Sequence, residues 1–343
     1  MIDKKSVKKI LIIKLRGIGD VVLSTIVLDN LKSEFPEAQI DYLTDPPSIP
    51  GINGLSQVNK VWAFPRKSNW KRIKLMLQIR KSNYDLVFDF FANPGTAQFT
   101  FISGAKYRVG FPYKGRKYAY NYYGPEERSK YHSALLHLFT LEKLDLRHDL
   151  ENLYFNINED DKLLFNNYIS DNRLDNRFIV GISPSGGWAS KKCDPSKFAE
   201  IGLAVREKYN AEILILWGKS DELEANEIHK QIPGSFLAPP TSITEMAAFI
   251  SGCSILIAND SGPMHISTAV GTPVLSIHGP TDPKLQGPFG KNHEWINLSE
   301  LDCIICNLLD CPKNHECFWD LPIERIMEKI DKLISKNNLN PNH

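Results

Sequence analysis

Residues 9–24, KILIIKLRGIGDVVLS, carry the clearest indication of the fold in this sequence. Residues 10–14 form a short apolar run, a turn with Gly17 and Gly19 follows, and apolar residues then recur at helical spacing as far as Leu31. A strand, a glycine turn and a helix are the first half of a βαβ unit. The turn suits a bound anion, yet it carries an acid of its own, Asp20.

Length and composition limit the class of protein. The chain has 343 residues, 42% of them hydrophobic, which is enough for two globular domains. The net charge is only +1, but residues 1–150 carry +10 and residues 151–343 carry −9. Lys14 and Arg16 interrupt the N-terminal apolar run, which is therefore too short for a signal peptide or a membrane span. We expect a cytoplasmic protein.

Apolar runs and helical patterns alternate along both halves of the chain. The first half predicts strands at 10–14, 39–43, 60–64, 86–91 and 107–110, with helices at 70–80 and 96–103. The second half predicts strands at 178–183, 212–217, 254–258 and 273–278, with helices at 195–208, 221–231, 242–251 and 263–270. Between the two series, residues 118–177 are polar, aromatic and irregular, which indicates the late part of the first domain followed by a crossover.

This alternation predicts an α/β fold with two Rossmann-like domains, residues 1–170 and residues 171–343. The pattern leaves open whether a C-terminal helix packs back on the first domain. Open parallel sheets bind ligands at the carboxyl ends of their strands, so the expected ligand site is a central cleft across which the two sheets face each other.

The glycine turn has two interpretations. A dinucleotide fingerprint needs a third glycine where Val22 stands, so NAD binding is poorly supported. Asp20 can be an ordinary helix N-cap, because carboxylates are stabilised in the first turn of a helix. The same position also keeps Asp20 ionised and able to accept a proton from an incoming hydroxyl.

Two stretches in the second half suit phosphate. The sequence SPSGGWASKK, residues 183–192, follows a strand and combines small residues and hydroxyls with two lysines, so it is either a diphosphate site or a flexible loop with solvated lysines. The sequence ANDSGPMHISTAVGTPVLSIHGPTDP, residues 258–283, places a tight turn and Pro263 at a helix start. His265 follows one turn later, as a ligand-facing or a structural histidine.

These motifs resemble the ADP-heptose–lipopolysaccharide heptosyltransferases, inverting glycosyltransferases with the GT-B fold. The resemblance rests on ILIIKLRGIGDVVLST, YDLVFDFFANPGTAQFTFISGAKYRVGF, GISPSGGWASKKCDPSKFAEI, TSITEMAAFISGCSILIANDSGPMHISTAVGTPVLSIHGPTDP and CIICNLLDCPKNHEC, in this order. It covers most of the chain.

The resemblance implies specific residue roles. Asp20 takes the place of the general base, and Arg16, Gly17 and Gly19 form the turn on the acceptor side. The residues implied in donor binding are Ser185, Lys191, Glu222, Asp260, Ser261, Gly262 and His265. The resemblance also implies a metal-independent displacement of the donor diphosphate, with ADP-heptose as donor and a lipid-linked glycan of the lipopolysaccharide core as acceptor.

Four cysteines lie close together in the sequence, spaced C-x2-C-x4-C-x5-C: Cys303, Cys306, Cys311 and Cys317. Stable disulfides are not expected in a cytoplasmic protein. This four-cysteine loop therefore predicts either a structural zinc or iron ion or a set of reduced thiols.

The basic first half interleaves Lys and Arg with aromatic residues in WKRIKLMLQIRK and KGRKYAYNYY. No nucleic-acid motif accompanies these stretches, so we expect an anionic membrane surface as partner and no nucleic acid. A solvated helix face is the alternative for the first stretch. The alternatives to a heptosyltransferase are a transferase with another nucleotide sugar, an epimerase-like sugar-nucleotide enzyme, and a binding module without catalysis.

Overall fold

The structure is a computed structural model that describes residues 2–341, and it divides into two units, Met1–Asn156 and Ile157–His343. This division lies earlier than the boundary predicted at 170/171. The reason is the helix Glu159–Asp171, whose Phe165 and Tyr168 rings pack on Phe249, with ring centroids 5.3 and 5.2 Å apart.

The first unit holds a six-stranded parallel sheet in the order β3-β2-β1-β4-β5-β6. Its strands are β1 (Lys9–Ile13), β2 (Gln39–Thr44), β3 (Lys60–Ala63), β4 (Leu86–Asp89), β5 (Tyr107–Gly110) and β6 (Tyr122–Tyr123). Its helices are α1 (Ile18–Ser24), α2 (Val27–Glu34), α3 (Ile49–Ile52), α4 (Asn69–Lys81), α5 (Pro94–Ser103) and α6 (Ser133–Glu142).

The second unit repeats the same topology, with the sheet order β12-β11-β10-β7-β8-β9 and all pairs parallel. Its strands are β7 (Ile179–Ser183), β8 (Glu212–Ile215), β9 (Phe236–Leu237), β10 (Ile255–Asn259), β11 (Val274–Ile277) and β12 (Glu294–Ile296). Its helices are α7 (Glu159–Asp171), α8 (Pro195–Tyr209), α9 (Glu222–Gln231), α10 (Ile243–Ser251), α11 (Gly262–Val270), α12 (Pro283–Gln286), α13 (Glu316–Trp319) and α14 (Ile323–Lys336).

Both sheets therefore have the Rossmann order, and the predicted α/β class with two such units is confirmed. The first strand of each unit is central; β7 is buried throughout and β1 is buried from Ile10 onward, which explains their apolar runs. Strand order reverses between β1 and β4 and between β7 and β10. Loops that leave these strands at their carboxyl ends meet at the switch point, where ligands bind in such folds.

Residues 118–177 contain β6 and α6, which are late parts of the first unit, and α7 of the second; the sequence pattern predicted none of these three elements. Helix α7 begins with a local signal: the Asn158 side chain accepts from the Asp161 N–H, and the Asp161 side chain accepts from the Asn158 N–H. Strand β4 ends before the predicted position because Asp89 Oδ1 accepts from the N–H groups of Phe91 and Ala92, which turns the chain.

Helix α14 belongs to the second unit. Its apolar residues Ile326, Ile330 and Leu333 are fully buried in that unit's core, where the helix packs on β12, β11 and α8. Among residues 2–341, none of the helices has the length and apolar character needed to cross a membrane.

Candidate functional site

The glycine turn places Asp20 in the first turn of α1. Gly17 is the N-cap residue, and Asp20 is the third residue of the helix. The interpretation of Asp20 as an N-cap is therefore wrong. Arg16 has a left-handed backbone conformation with φ of 78°, and its N–H donates to Asp45 Oδ2 at 2.8 Å. Gly19 is buried inside α1.

Asp20 forms an ion pair with Lys14, which follows directly after β1. Lys14 Nζ lies 3.0 Å from Asp20 Oδ1, and the lysine side chain is 5% exposed while the aspartate side chain is 48% exposed. The buried ammonium holds the carboxylate in one direction. Asp20 thus has two properties that suit a general base, a fixed position and access to solvent.

A neutral histidine lies near Lys14. His137 of α6 is buried and packs edge-on against Phe90, with ring centroids 4.5 Å apart. Burial lowers the pKa of His137 well below its usual value, and the charges of Lys14 and Arg128 lower it further. His137 is therefore neutral near pH 7 and adds no positive charge beside Lys14. The sequence did not single it out, because α6 was not predicted.

A basic cavity adjoins the glycine turn within the first unit. It has a volume of about 550 Å³ and is lined by Arg16, Gly17, Asp45 and Arg66, among others. Arg66 binds both oxygens of Asp45, at 2.6 and 2.5 Å, while 55% of the arginine side chain stays exposed. Bidentate arginine on a fixed carboxylate keeps a positive edge beside the turn. Arg66 was missed in the sequence because its partner Asp45 lies after another strand.

In the second unit the two phosphate-suited stretches meet. Lys191 Nζ lies 2.6 Å from Asp260 Oδ2, and both side chains are almost fully buried, at 8% and 5% exposure. Lys191 also lies over the Trp188 ring, 4.0 Å from its centroid. The alternative of a flexible loop with solvated lysines is therefore wrong for Lys191.

Hydrogen bonds connect the same two loops around the ion pair. Asn259 Nδ2 donates to the Pro184 carbonyl at 2.9 Å, and Asn259 Oδ1 accepts from the Cys193 N–H at 3.2 Å. Because Asn259 ends β10 and Pro184 follows β7, and these strands are neighbours in the sheet, the contacts fix the switch point of the second unit.

Asp260 is the charged centre of this region. The Thr281 hydroxyl donates to its Oδ2 at 2.6 Å. Burial raises the pKa of Asp260, but His278, Lys191 and the Thr281 hydroxyl together lower it below its usual value. Burial lowers the pKa of His278 to about 4, so this imidazole is neutral near pH 7. The Lys191–Asp260 pair is therefore charged on both sides, with a neutral imidazole beside it.

The start of α11 adds backbone donors. Ser261 is the N-cap, but its hydroxyl donates back to the Asn259 carbonyl at 3.2 Å and does not cap the helix. Gly262 is the first helical residue, and His265 is buried one turn further on. The free N–H groups at this end attract negative charge.

A second polar cluster surrounds Lys192 and only partly matches the prediction. Lys192 Nζ contacts Asp221 Oδ1 at 3.1 Å and Glu224 Oε1 at 2.5 Å, and Ser185 Oγ donates to Asp221 Oδ2 at 2.7 Å. The predicted Glu222 is exposed and begins α9 between these two acids. The structure brings Ser185 to Asp221 and not to Glu222. The acidic start of α9 is the sequence feature that could have identified Asp221 and Glu224 as members of this cluster.

The four-cysteine loop lines one small enclosed cavity of about 20 Å³. Cys311 Sγ accepts from the backbone N–H groups of Lys313 and His315 at 3.4 and 3.3 Å. Burial raises the pKa of Cys317 to about 12, with the other three cysteines adding to the effect. Within residues 2–341, however, no three His, Cys, Asp or Glu side chains form a group that could hold a metal ion. Thiol chemistry fits zinc or iron, but this arrangement of side chains does not.

The two Rossmann-like units have the GT-B fold, which is shared with the solved ADP-heptose lipopolysaccharide heptosyltransferase II of Escherichia coli, 20% identical with a TM-score of 0.77 over 96% of this chain and 99% of that one. Residues 72–315 match the sequence profile of glycosyltransferase family 9 (heptosyltransferase), and the chain belongs to this family. The resemblance inferred from the motifs is confirmed.

Individual relatives agree with this assignment. Lipooligosaccharide heptosyltransferase 2 of Campylobacter jejuni is 34% identical over 163 residues, 45% of this chain, and the match spans about half (51%) of that relative. Lipopolysaccharide heptosyltransferase 3 of Escherichia coli is 26% identical over 93% of this chain and 96% of its own length. The structure of a family 9 glycosyl transferase from Veillonella parvula is 19% identical, with a TM-score of 0.84 over 96% of this chain and 97% of that one.

Proposed function

We propose that this protein transfers a heptose from ADP-heptose to a lipopolysaccharide core or a related glycan, with inversion at the anomeric carbon. The observation that carries the proposal is the buried Lys191–Asp260 pair at the switch point of the second unit, in a chain of family 9. An E. coli heptosyltransferase of this fold has been solved with ADP-2-deoxy-2-fluoro heptose, which supports the choice of donor.

The second unit holds the donor in this proposal. Lys191 and the free N–H groups at the start of α11 bind the diphosphate, and Asp260 holds the lysine in place from behind. As the anomeric C–O bond to phosphate breaks, negative charge develops on the departing ADP. Fixed positive groups stabilise that charge without a metal ion in the reaction.

The first unit supplies the base. Asp20 takes the proton of the acceptor hydroxyl while the acceptor oxygen bonds to the anomeric carbon, so the proton remains on the enzyme and ADP leaves. The exposed Asp20 carboxylate and its ion pair with Lys14 support this role. The cavity beside Arg16 and Arg66 suits an anionic group of the acceptor.

The acceptor is a lipid-linked glycan, which places the protein on the cytoplasmic face of an anionic membrane. The +10 charge of residues 1–150 supports this location. The four-cysteine loop is proposed to bind one structural zinc or iron ion after a local rearrangement of its thiols. Its carbonyl at Leu309 accepts from the Ser190 N–H at 3.0 Å, so the loop braces the segment that carries Lys191.

The test combines donor choice with product analysis. Thermal melting with a panel of nucleotide sugars should give the largest shift with ADP-heptose, since a ligand at 100 times its Kd adds about 2.7 kcal/mol of stability. Mass spectrometry should then detect one added heptose on a heptose-deficient core acceptor. A larger shift and transfer with another nucleotide sugar would replace the proposed donor. Conversion of the donor without any acceptor would favour an epimerase-like enzyme.

A further inference from the structure

Helix α4 carries an apolar stripe on the side that faces away from the core. Trp70, Ile73 and Leu77 are 74%, 50% and 57% exposed, and they form what we call the outer stripe. At about 100° per residue, positions 70, 73 and 77 lie within an arc of about 60°. Leu75 and Ile79, on the opposite side, are buried in the core. The helix is thus apolar on two faces, and only one is covered within the described residues.

Positive charge surrounds the outer stripe. Residues 46–84 contain eight Lys and Arg residues and no Asp or Glu. Lys71, Lys74 and Lys81 are exposed on the same helix. Arg72 has a different role, because it donates to the carbonyls of Pro65 and Arg66 at 3.0 and 2.9 Å and fixes the start of the helix.

Other exposed leucines of this chain lie in a different electrostatic setting. Leu163 on α7 and Leu223 on α9 are 56% and 84% exposed, but the first turns of both helices are acidic. Single exposed leucines are ordinary on protein surfaces. A Trp-containing stripe on a helix with five basic residues and no acid is the composition of a helix that lies in a lipid interface.

We propose that α4 docks on an anionic bilayer, with the outer stripe inserted among the lipid chains and the flanking lysines bound to acidic headgroups. This inference rests on the proposed function for the presence of a membrane-bound acceptor. It goes further in naming the surface, because the sequence alone left a solvated helix face as the alternative for this stretch. Charge complementarity selects lipid over a second protein, since acidic headgroups satisfy every exposed lysine of the helix.

Vesicle sedimentation with the full chain tests the proposal. Wild-type protein should bind vesicles of phosphatidylcholine and phosphatidylglycerol, and bind pure phosphatidylcholine at least about tenfold more weakly. The apolar variant Trp70→Ser/Ile73→Ser/Leu77→Ser and the charge variant Lys71→Gln/Lys74→Gln/Lys81→Gln should each lose about tenfold or more in binding to mixed vesicles. The control Leu163→Ser/Leu223→Ser should bind like wild type.

A second measurement reports insertion directly. Brominated lipid quenches tryptophans that enter the acyl region, so quenching should be strong in wild type and fall sharply in Trp70→Phe. The apolar variant should keep the wild-type melting temperature, because its three positions are exposed. It should also transfer to a lipid-free core oligosaccharide at the wild-type rate.

These readouts separate the two proposals. Vesicle binding through α4 without any heptosyl transfer would refute the proposed function and support the docking surface. Transfer with unchanged vesicle binding in both α4 variants would overturn the docking surface alone. If the apolar variant instead changes from dimer to monomer in analytical ultracentrifugation and binds vesicles normally, the outer stripe is a protein interface and the inference is wrong.

Discussion

Removing the Lys191 ammonium should both destabilise the protein and weaken donor binding, and these effects can be separated. In Lys191→Met the Asp260 carboxylate stays buried and keeps only the Thr281 hydroxyl among the donors described above. Breaking one side of a buried ion pair costs about 3–5 kcal/mol. At about 2–4 °C per kcal/mol for a unit of this size, the melting temperature should fall by about 6–20 °C.

The double variant Lys191→Met/Asp260→Asn removes both charges and keeps the approximate volumes. Its stability should return most of the way to wild type, because no uncompensated charge remains buried. Donor affinity should not return. Loss of a hydrogen bond to a charged group costs about 1.5–3 kcal/mol, which is roughly 10- to 150-fold in Kd.

The measurements are the melting temperature without ligand and the Kd for ADP-heptose by calorimetry. Lys197→Met is a matched control, because Lys197 is as buried as Lys191 and lies 2.9 Å from Glu200, whose side chain is 48% exposed. Solvent can rehydrate Glu200, so this variant should lose less stability and should keep wild-type donor affinity. Wild-type donor affinity in the double variant would refute the donor role of Lys191 and leave it only as a counter-ion.

Four further outcomes are expected. Asp20→Asn should reduce transfer by about 10²–10⁴-fold with unchanged donor affinity, and it should lower the melting temperature because the buried Lys14 ammonium loses its counter-ion; near-normal transfer would remove Asp20 from the mechanism. Lys14→Met should lower kcat/KM because the Asp20 carboxylate loses the partner that holds its direction, Lys14→Arg should restore most of it, and an unchanged kcat/KM in Lys14→Met would contradict the positioning role of the ion pair. Elemental analysis of protein purified without chelator should find about one zinc or iron ion per chain. Finding neither metal would mean that the four cysteines are reduced thiols without a metal. Stability should decrease as pH falls from 6.5 to about 4, because the His278 side chain takes up a proton in the unfolded chain but stays neutral in the folded protein. His278→Gln should make the dependence of stability on pH less steep in denaturant titrations.

Local patterns were sufficient for most elements of both sheets. Buried parallel strands are continuous apolar runs, so β1, β5, β7 and β10 could be located to within a residue or two. Glycine and proline then located the turns that end them. The sequence pattern did not predict helix α6, because SALLHLFTLE is apolar around most of its circumference and shows no clear helical period. Strands β6, β9 and β12 are only two or three residues long, below what a pattern can specify.

The motif residues of the candidate site could also be identified from the sequence, but their burial and their charge partners could not. Asp20 could be named as a candidate base, whereas its distance to Lys14 and the difference in their exposure are properties of the folded turn. Lys191 and Lys192 are adjacent in the chain and chemically identical, yet one is buried on Asp260 and the other lies partly exposed beside Asp221 and Glu224.

The two βαβ series, the glycine and proline turns and the residue types at the strand ends could be predicted from the sequence alone, because they depend on interactions within a few residues. The tertiary structure decided which of two neighbouring lysines is buried and which of the two apolar faces of α4 meets the core. Asp260 follows Lys191 by many residues, and the core beneath α4 comes from several separate strands and helices. Burial and charge pairing depend on which distant segments come together, and periodicity along one segment carries no information about them.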